Sequence, residues 1–145
     1  MAVTGFFYGN AFLNAFDKKI DFNSDTIKVA LCTSTYTPNQ DTHDFFNDIT
    51  NEVSGTGYTA GGATLGTPTL TYTGGTNVLK LDGDDVSWTT STITARYAII
   101  YDSTPGTAAT NPLLAYVDFG ADVTSTAGTF SIVWDAAGIA TVTVA

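Results

Sequence analysis

The chain of 145 residues carries 14 acidic and five basic side chains, a net charge of −9, with one His and one Cys. That balance disfavours nucleic acid, whose phosphates are bound by Lys and Arg displacing counterions, and by the same sign it disfavours an anionic membrane surface. Charged residues are 13 % of the sequence and hydrophobic ones 43 %, so neutral Thr, Ser, Asn and Gly must cover the exterior, a surface suited to docking on protein or sugar.

The order of elements follows from periodicity and turn signals. One domain is expected, residues 1–145, long enough to bury about 70 % of the surface of its unfolded chain. Residues 1–8 have neither a basic leader nor a long apolar run, so no signal peptide or membrane span is predicted. Phe12, Leu13, Phe16 and Ile20 recur at helical spacing and predict a helix over 10–20 with that face buried, started by Gly9 and Asn10. Residues 27–34 read as a strand with Cys32 on the face opposite Ile27, Val29 and Leu31. A lone Cys cannot form an internal disulfide, and with no base beside it the thiol reads as a small hydrophobe. After the turn at 37–40, Asp41 or Thr42 caps a second short helix carrying Phe45, Phe46 and Ile49.

The remainder is β-pattern. Residues 51–62, with four Gly, form a loop anchored by Val53 and Tyr58. A strand over 64–73 contains Pro68, which places it at a sheet edge. Strands over 77–82 and 86–88 flank the turn Asp82-Gly83-Asp84-Asp85. Residues 92–102 set Ile93, Ala95, Tyr97, Ile99 and Tyr101 on one face and Thr94, Arg96, Ala98 and Ile100 on the other. This strand is apolar on both sides at its far end and belongs at the centre of a sheet. The last strands are 113–120, 129–135 and 138–145, the final two joined as a tight hairpin at 135–138. Short strands at this spacing predict a mainly β fold, an antiparallel β-sandwich (jelly-roll-like or Ig-like) or small barrel, with one or two short N-terminal helices.

Few side chains offer chemistry. Asp82, Asp84 and Asp85 are the candidate Ca²⁺ ligands, because hard cations take carboxylate oxygens on a flexible Gly-containing loop, although tight turns select Asp and Gly on their own account. His43 beside Asp44 lacks an assignable nucleophile and reads as a surface or cap residue. Asp102, Asp118, Asp122 and Asp135 stand at strand ends, where glycosidases keep a carboxylate pair and where ordinary strands also stop. Trp88 and Tyr58 border loops and are the candidate binding residues, as a sugar-stacking platform or an interface anchor, against the alternative of core packing. Arg96 on a central strand calls for an acidic partner. Neither catalysis nor a resident cofactor is expected, Ca²⁺ being the one candidate.

Several segments carry a resemblance: Ile27 to Leu31, Tyr36-Thr37-Pro38, Asp48 to Val53 with Gly55 to Gly62, Thr92 to Asp102, and Leu114 to Gly120. Together they resemble a small virion structural protein of tailed bacteriophages, across residues 10–145. The resemblance implies a part of the virion assembled in the bacterial host cytoplasm, and it carries over no catalytic residue. The leading expectation is a capsid decoration or cement protein that forms a homotrimer and docks on the major capsid protein or other virion proteins. The trimer is an analogy with other decoration proteins. The alternative is a tail or surface-fibre component binding a surface glycan at Trp88 and Tyr58. Residues 1–9 are the candidate docking arm, or an ordinary edge strand.

Overall fold

The computed structural model describes residues 3–144, so Met1 and Ala2 of the candidate arm lie outside the described residues. The chain is mainly antiparallel β with one α-helix. The strands are β1 (Thr4–Phe7), β2 (Ile27–Cys32), β3 (Ala63–Thr64), β4 (Thr69–Thr73), β5 (Val78–Asp82), β6 (Val86–Asp102), β7 (Leu113–Ile132) and β8 (Ala140–Thr143); the helix α1 spans Gly9–Phe16. One sheet runs β1-β7-β6-β2-β3 and the other β4-β5-β8. Residues 4–7 of the predicted arm are thus an edge strand, paired with β7 from Thr4↔Asp118 to Phe7↔Ala115. The second predicted helix is a single 3-10 turn, Phe46–Asp48, and Asp48 rather than Asp41 or Thr42 accepts from the N–H of Asp44, at 2.9 Å.

The strands predicted at 86–88 and 92–102 are one strand of 17 residues, and those at 113–120 and 129–135 merge into one of 20. They pair from Val86↔Ile132 to Tyr101↔Leu113. A straight strand rises about 3.3 Å per residue, so eleven residues would separate Phe119 from Phe130 by roughly 36 Å. Their rings are in fact 6.1 Å apart. The ribbon therefore bends back on itself, and Val86, Trp88, Phe130 and Ile132 at one end share a buried cluster with Val29, Ile100 and Ala115 at the other. Register shifts flank Ser91, and Thr90 and Ala127 adopt φ of 52° and 48°. Ser91 Oγ lies 2.7 Å from Ser125 Oγ inside this bend and donates to the Gly128 carbonyl, which pins the two strands where they turn.

A second irregularity changes which residues share a face. The register shifts between Ala95 and Tyr97, so the simple alternation predicted for 92–102 fails at Arg96. Ile93, Ala95, Ala98 and Ile100 enter one cluster with Ile27, Val29 and Leu31, while Tyr97, Ile99 and Tyr101 join Ala30 and Cys32 in the other. The strand is still central and covered on both faces, as its composition predicts. The turn predicted at 135–138 forms, with Gly138 N–H donating to the Asp135 carbonyl at 2.8 Å. The strand after it departs from the predicted hairpin: β8 pairs with β5, from Leu81↔Ala140 to Val78↔Thr143. The strand predicted over 64–73 is broken: β3 ends at Thr64 in the larger sheet and β4 begins at Thr69, with Pro68 immediately before β4, an edge strand of the smaller sheet, where its missing N–H costs no ladder bond.

Helix α1 ends earlier than its apolar spacing predicts. Lys18 takes φ 59°, its N–H donates to the Ala15 carbonyl and that of Lys19 to the Asn14 carbonyl. This is a Schellman termination with Lys18 in the left-handed position. It stops the helix at Phe16 and leaves Ile20 outside it.

Candidate interaction surface

The helix also turns the other way from the sequence expectation. The residues it buries are Ala11 and Asn14, whereas Phe12, Leu13 and Phe16 are 40, 57 and 87 % exposed. Apolar spacing predicted that this face packs inward; it faces solvent, and small Ala11 is what allows the backbone close to the sheet. The stripe continues onto β1 through Phe7, whose ring lies 5.0 Å from that of Phe12. Phe6, on the other face of β1, stacks on Tyr116 at 5.1 Å and is itself partly uncovered.

β1 borders two adjoining grooves. The larger, of about 620 Å³, runs between β1, the outer part of β7 and residues 130–139, with Val117, Phe119, Val123, Ile132, Val133 and Trp134 among its walls. Among the described residues Asp135 is its one acidic or basic lining residue. The smaller, of about 300 Å³, separates β1 from the chain that leads into β8. Tyr8 N–H donates to the Leu114 carbonyl, so by antiparallel alternation Gly5 and Phe7 direct their own backbone groups away from β7. The Phe7 carbonyl is met by Gln40 Nε2 at 2.7 Å. That side chain closes part of an edge that would otherwise be open to another strand.

Of the residues singled out from sequence, Trp88 and Tyr58 do come together, with ring centroids 5.9 Å apart. They meet in the core. Trp88 is 5 % exposed and offers no open ring face for a sugar. Tyr58 accepts from the Leu31 N–H at 2.9 Å and donates to Glu52 Oε1 at 2.7 Å. Glu52 also receives the Gly61 N–H at 2.6 Å, so this carboxylate organises the glycine loop. Sequence reasoning passed over it; the one signal was an acid followed six residues later by the anchoring Tyr.

The three candidate Ca²⁺ ligands turn to different partners. Lys80 Nζ donates to Asp82 Oδ2 at 2.9 Å, Thr67 Oγ1 to Asp84 Oδ2 at 2.8 Å, and the Trp134 N–H to Asp85 Oδ1 at 3.0 Å. Among the described residues no group of three His, Cys, Asp or Glu side chains converges in a way that would hold a metal. The turn instead fastens Trp134, whose indole Nε1 donates to the Asp84 carbonyl at 2.9 Å.

Several other titratable groups make bonds within the fold. Arg96 Nε donates to Asp118 Oδ1 at 2.5 Å and Nη2 to Oδ2 at 3.3 Å, the acidic partner its central position calls for. The guanidinium holds the Asp118 carboxyl below its usual range. His43 Nδ1 lies 2.8 Å from the Tyr36 hydroxyl, which lies 2.9 Å from that of Tyr8. This is a buried polar chain rather than a catalytic pair with Asp44. Cys32 is fully buried, and burial, with the nearby Glu52 charge, pushes its thiol up to about 12. Asp102, at the end of β6, is wholly buried. Its Oδ1 accepts the Thr104 N–H at 2.8 Å, and its Oδ2 has no hydrogen-bond partner among the described residues. Burial and the neighbouring Asp25 raise its carboxyl above the normal range.

No protein-family model, curated protein or solved structure matches this chain. Among the described residues no helix is long and apolar enough to cross a membrane.

Proposed function

We propose that this chain is a virion structural protein of a tailed bacteriophage, a decoration or cement protein that docks on the head shell and adds contacts between neighbouring capsomers. The observation that carries this reading is the apolar surface left uncovered along α1 and β1, on a chain in which Glu52, Arg96 and Asp118 are spent on internal bonds. Uncovered Phe and Leu in such a stripe are what an assembly contact uses. The fold is read as an open sandwich, with the bent β6–β7 ribbon contributing to both layers, and the assembled form as a homotrimer. Acidic charge elsewhere keeps free copies apart before they dock.

Quantitative protein composition of purified particles tests the reading. A decoration protein is present at a copy number that scales with the shell, whereas a tail or fibre part contributes a few copies. Absence from particles would remove the virion assignment. The glycan-binding alternative loses its platform with Trp88 in the core, and a glycan array with the purified protein would revive it only by specific binding that is lost when Tyr58 is substituted and the fold is kept.

A further inference from the structure

The assembly reading leaves open which surfaces meet, and the structure contains a matched pair. One is the convex apolar stripe Phe12, Leu13 and Phe16 on α1. The other is the concave apolar groove of about 620 Å³ beside β1, walled by Val117, Val123, Val133 and Trp134. At roughly 200 Å² for a phenylalanine, the stripe presents on the order of 350 Å² of apolar surface. That is the scale of the apolar centre of an interface burying about 800 Å² per partner. The groove lies in the size range that takes a ligand of a few ring-sized groups.

Charge favours the same pairing. Two of the five bases in the chain, Lys18 and Lys19, come just after the stripe, beyond Asp17, while among the described residues the groove carries Asp135 and no base. Asp17 offsets Lys19, at 3.8 Å, and Lys18 has no ion pair among the described residues. Contact between two stripes would instead bring the bases of both copies together. The aliphatic stems of the two lysines add to the apolar rim while an ammonium group reaches toward the acid.

We propose that the α1 stripe of one copy seats in the β1–β7 groove of a second copy. The inference rests on the assembly reading and names its contact. Because unlike surfaces meet, each copy has one of each to offer, and successive copies propagate head to tail until a ring closes. A trimer is one such ring.

Two substitutions at exposed positions separate the halves of the contact. Phe16→Asp places a charge on the stripe. Val133, 74 % exposed, becomes Val133→Asp in the groove. Neither site is in the core, so both variants should keep the wild-type far-UV spectrum and melting temperature; Phe16→Ser and Val133→Ser serve if either does not. In size-exclusion chromatography with light scattering, the wild type is expected as an oligomer and each variant alone as a monomer. An equimolar mixture of the two variants should regain association as a pair holding one of each, since each supplies the half that the other lacks.

A monomeric wild type, a variant that still self-associates, or a mixture that stays monomeric would each overturn the contact. Failure here is distinct from failure of the virion assignment. Abundant copies in particles together with a monomeric purified protein would refute the contact alone, and self-association in a protein missing from particles would refute the assignment alone.

Discussion

Replacing Asp102 by asparagine should stabilise the protein, and by an amount that depends on pH. Asp102 is wholly buried, with one carboxylate oxygen on the Thr104 N–H and the other unpartnered, beside the charge of Asp25. A buried polar atom without a hydrogen bond costs about 1–3 kcal/mol, more when charged. In the Asp102→Asn variant the side-chain oxygen keeps the Thr104 bond, while the new amide group donates to Asp25 in place of a facing negative charge. The expected gain at neutral pH is about 1–3 kcal/mol, which for a chain of this size raises Tm by roughly 3–9 °C. The sign follows from linkage. Burial and Asp25 raise the native carboxyl pKa, so above the ordinary carboxylate range the native state binds more protons than the unfolded one and wild-type stability falls as pH rises through that window. Below the ordinary carboxylate pKa both states are protonated and the difference between variant and wild type should shrink toward zero. Thermal melts of both proteins from about pH 3 to pH 8 read this directly. A variant that melts lower than wild type at neutral pH, or a Tm gain that stays constant down to the acid end, would refute the account of Asp102.

Three further outcomes follow from named contacts. Gly62 takes φ 73°, and a Cβ there would collide with the Val29 carbonyl oxygen, so Gly62→Ala should lose more than about 3 kcal/mol in urea denaturation; a smaller loss would mean that the loop shifts freely. Tyr36→Phe strands both the Tyr8 hydroxyl and His43 Nδ1 and should cost about 2–3 kcal/mol, against about 1 kcal/mol for Tyr8→Phe, which removes only the end of the chain; the order of the two in the same denaturation assay is the check. For Arg96→Ala, the lowered native pKa of Asp118 means that its stabilisation is present above the ordinary carboxylate range and lost as pH falls through the native value. The variant should therefore show a flatter fall in Tm between about pH 5 and pH 2 than the wild type.

What the residues alone revealed was local. Local pattern located β2, β5 and the C-terminal part of β6, and the turn from Asp135 to Gly138 was legible because a turn is decided within four residues. The partner of the strand that follows is decided by packing at a distance. β8 therefore lies beside β5, far back along the chain, at the Leu81↔Ala140 and Val78↔Thr143 pairs, where the strand was expected to fold back on its neighbour. The Arg96 irregularity was hidden because Ala, Tyr and Ile fit either face of a doubly covered strand. The α1 stripe shows the other limit: spacing reveals that Phe12, Leu13 and Phe16 share a side but not what covers it. Trp88 and Tyr58 were open to two readings, binding platform or core packing, and the fold takes the second, since a Trp beside a turn reads the same at a rim or in a core. The groove was not legible at all, because its walls come from residues 3–5, 117–123 and 130–139, which only the bent ribbon brings together.

That doubling-over of β6 and β7 sets how the molecule must come into being. Both facing walls of the interior draw on the same two strands, one of them with β2 added, so neither wall gains its apolar shelter until the chain has closed over a long sequence distance, and contacts of such separation make for slow, all-or-none folding. Once formed, the interior has no half that opens alone: fraying one end of the ribbon uncovers the other. Exchange of the amide protons in Val29, Ile100 and Phe130 should consequently proceed at a single rate.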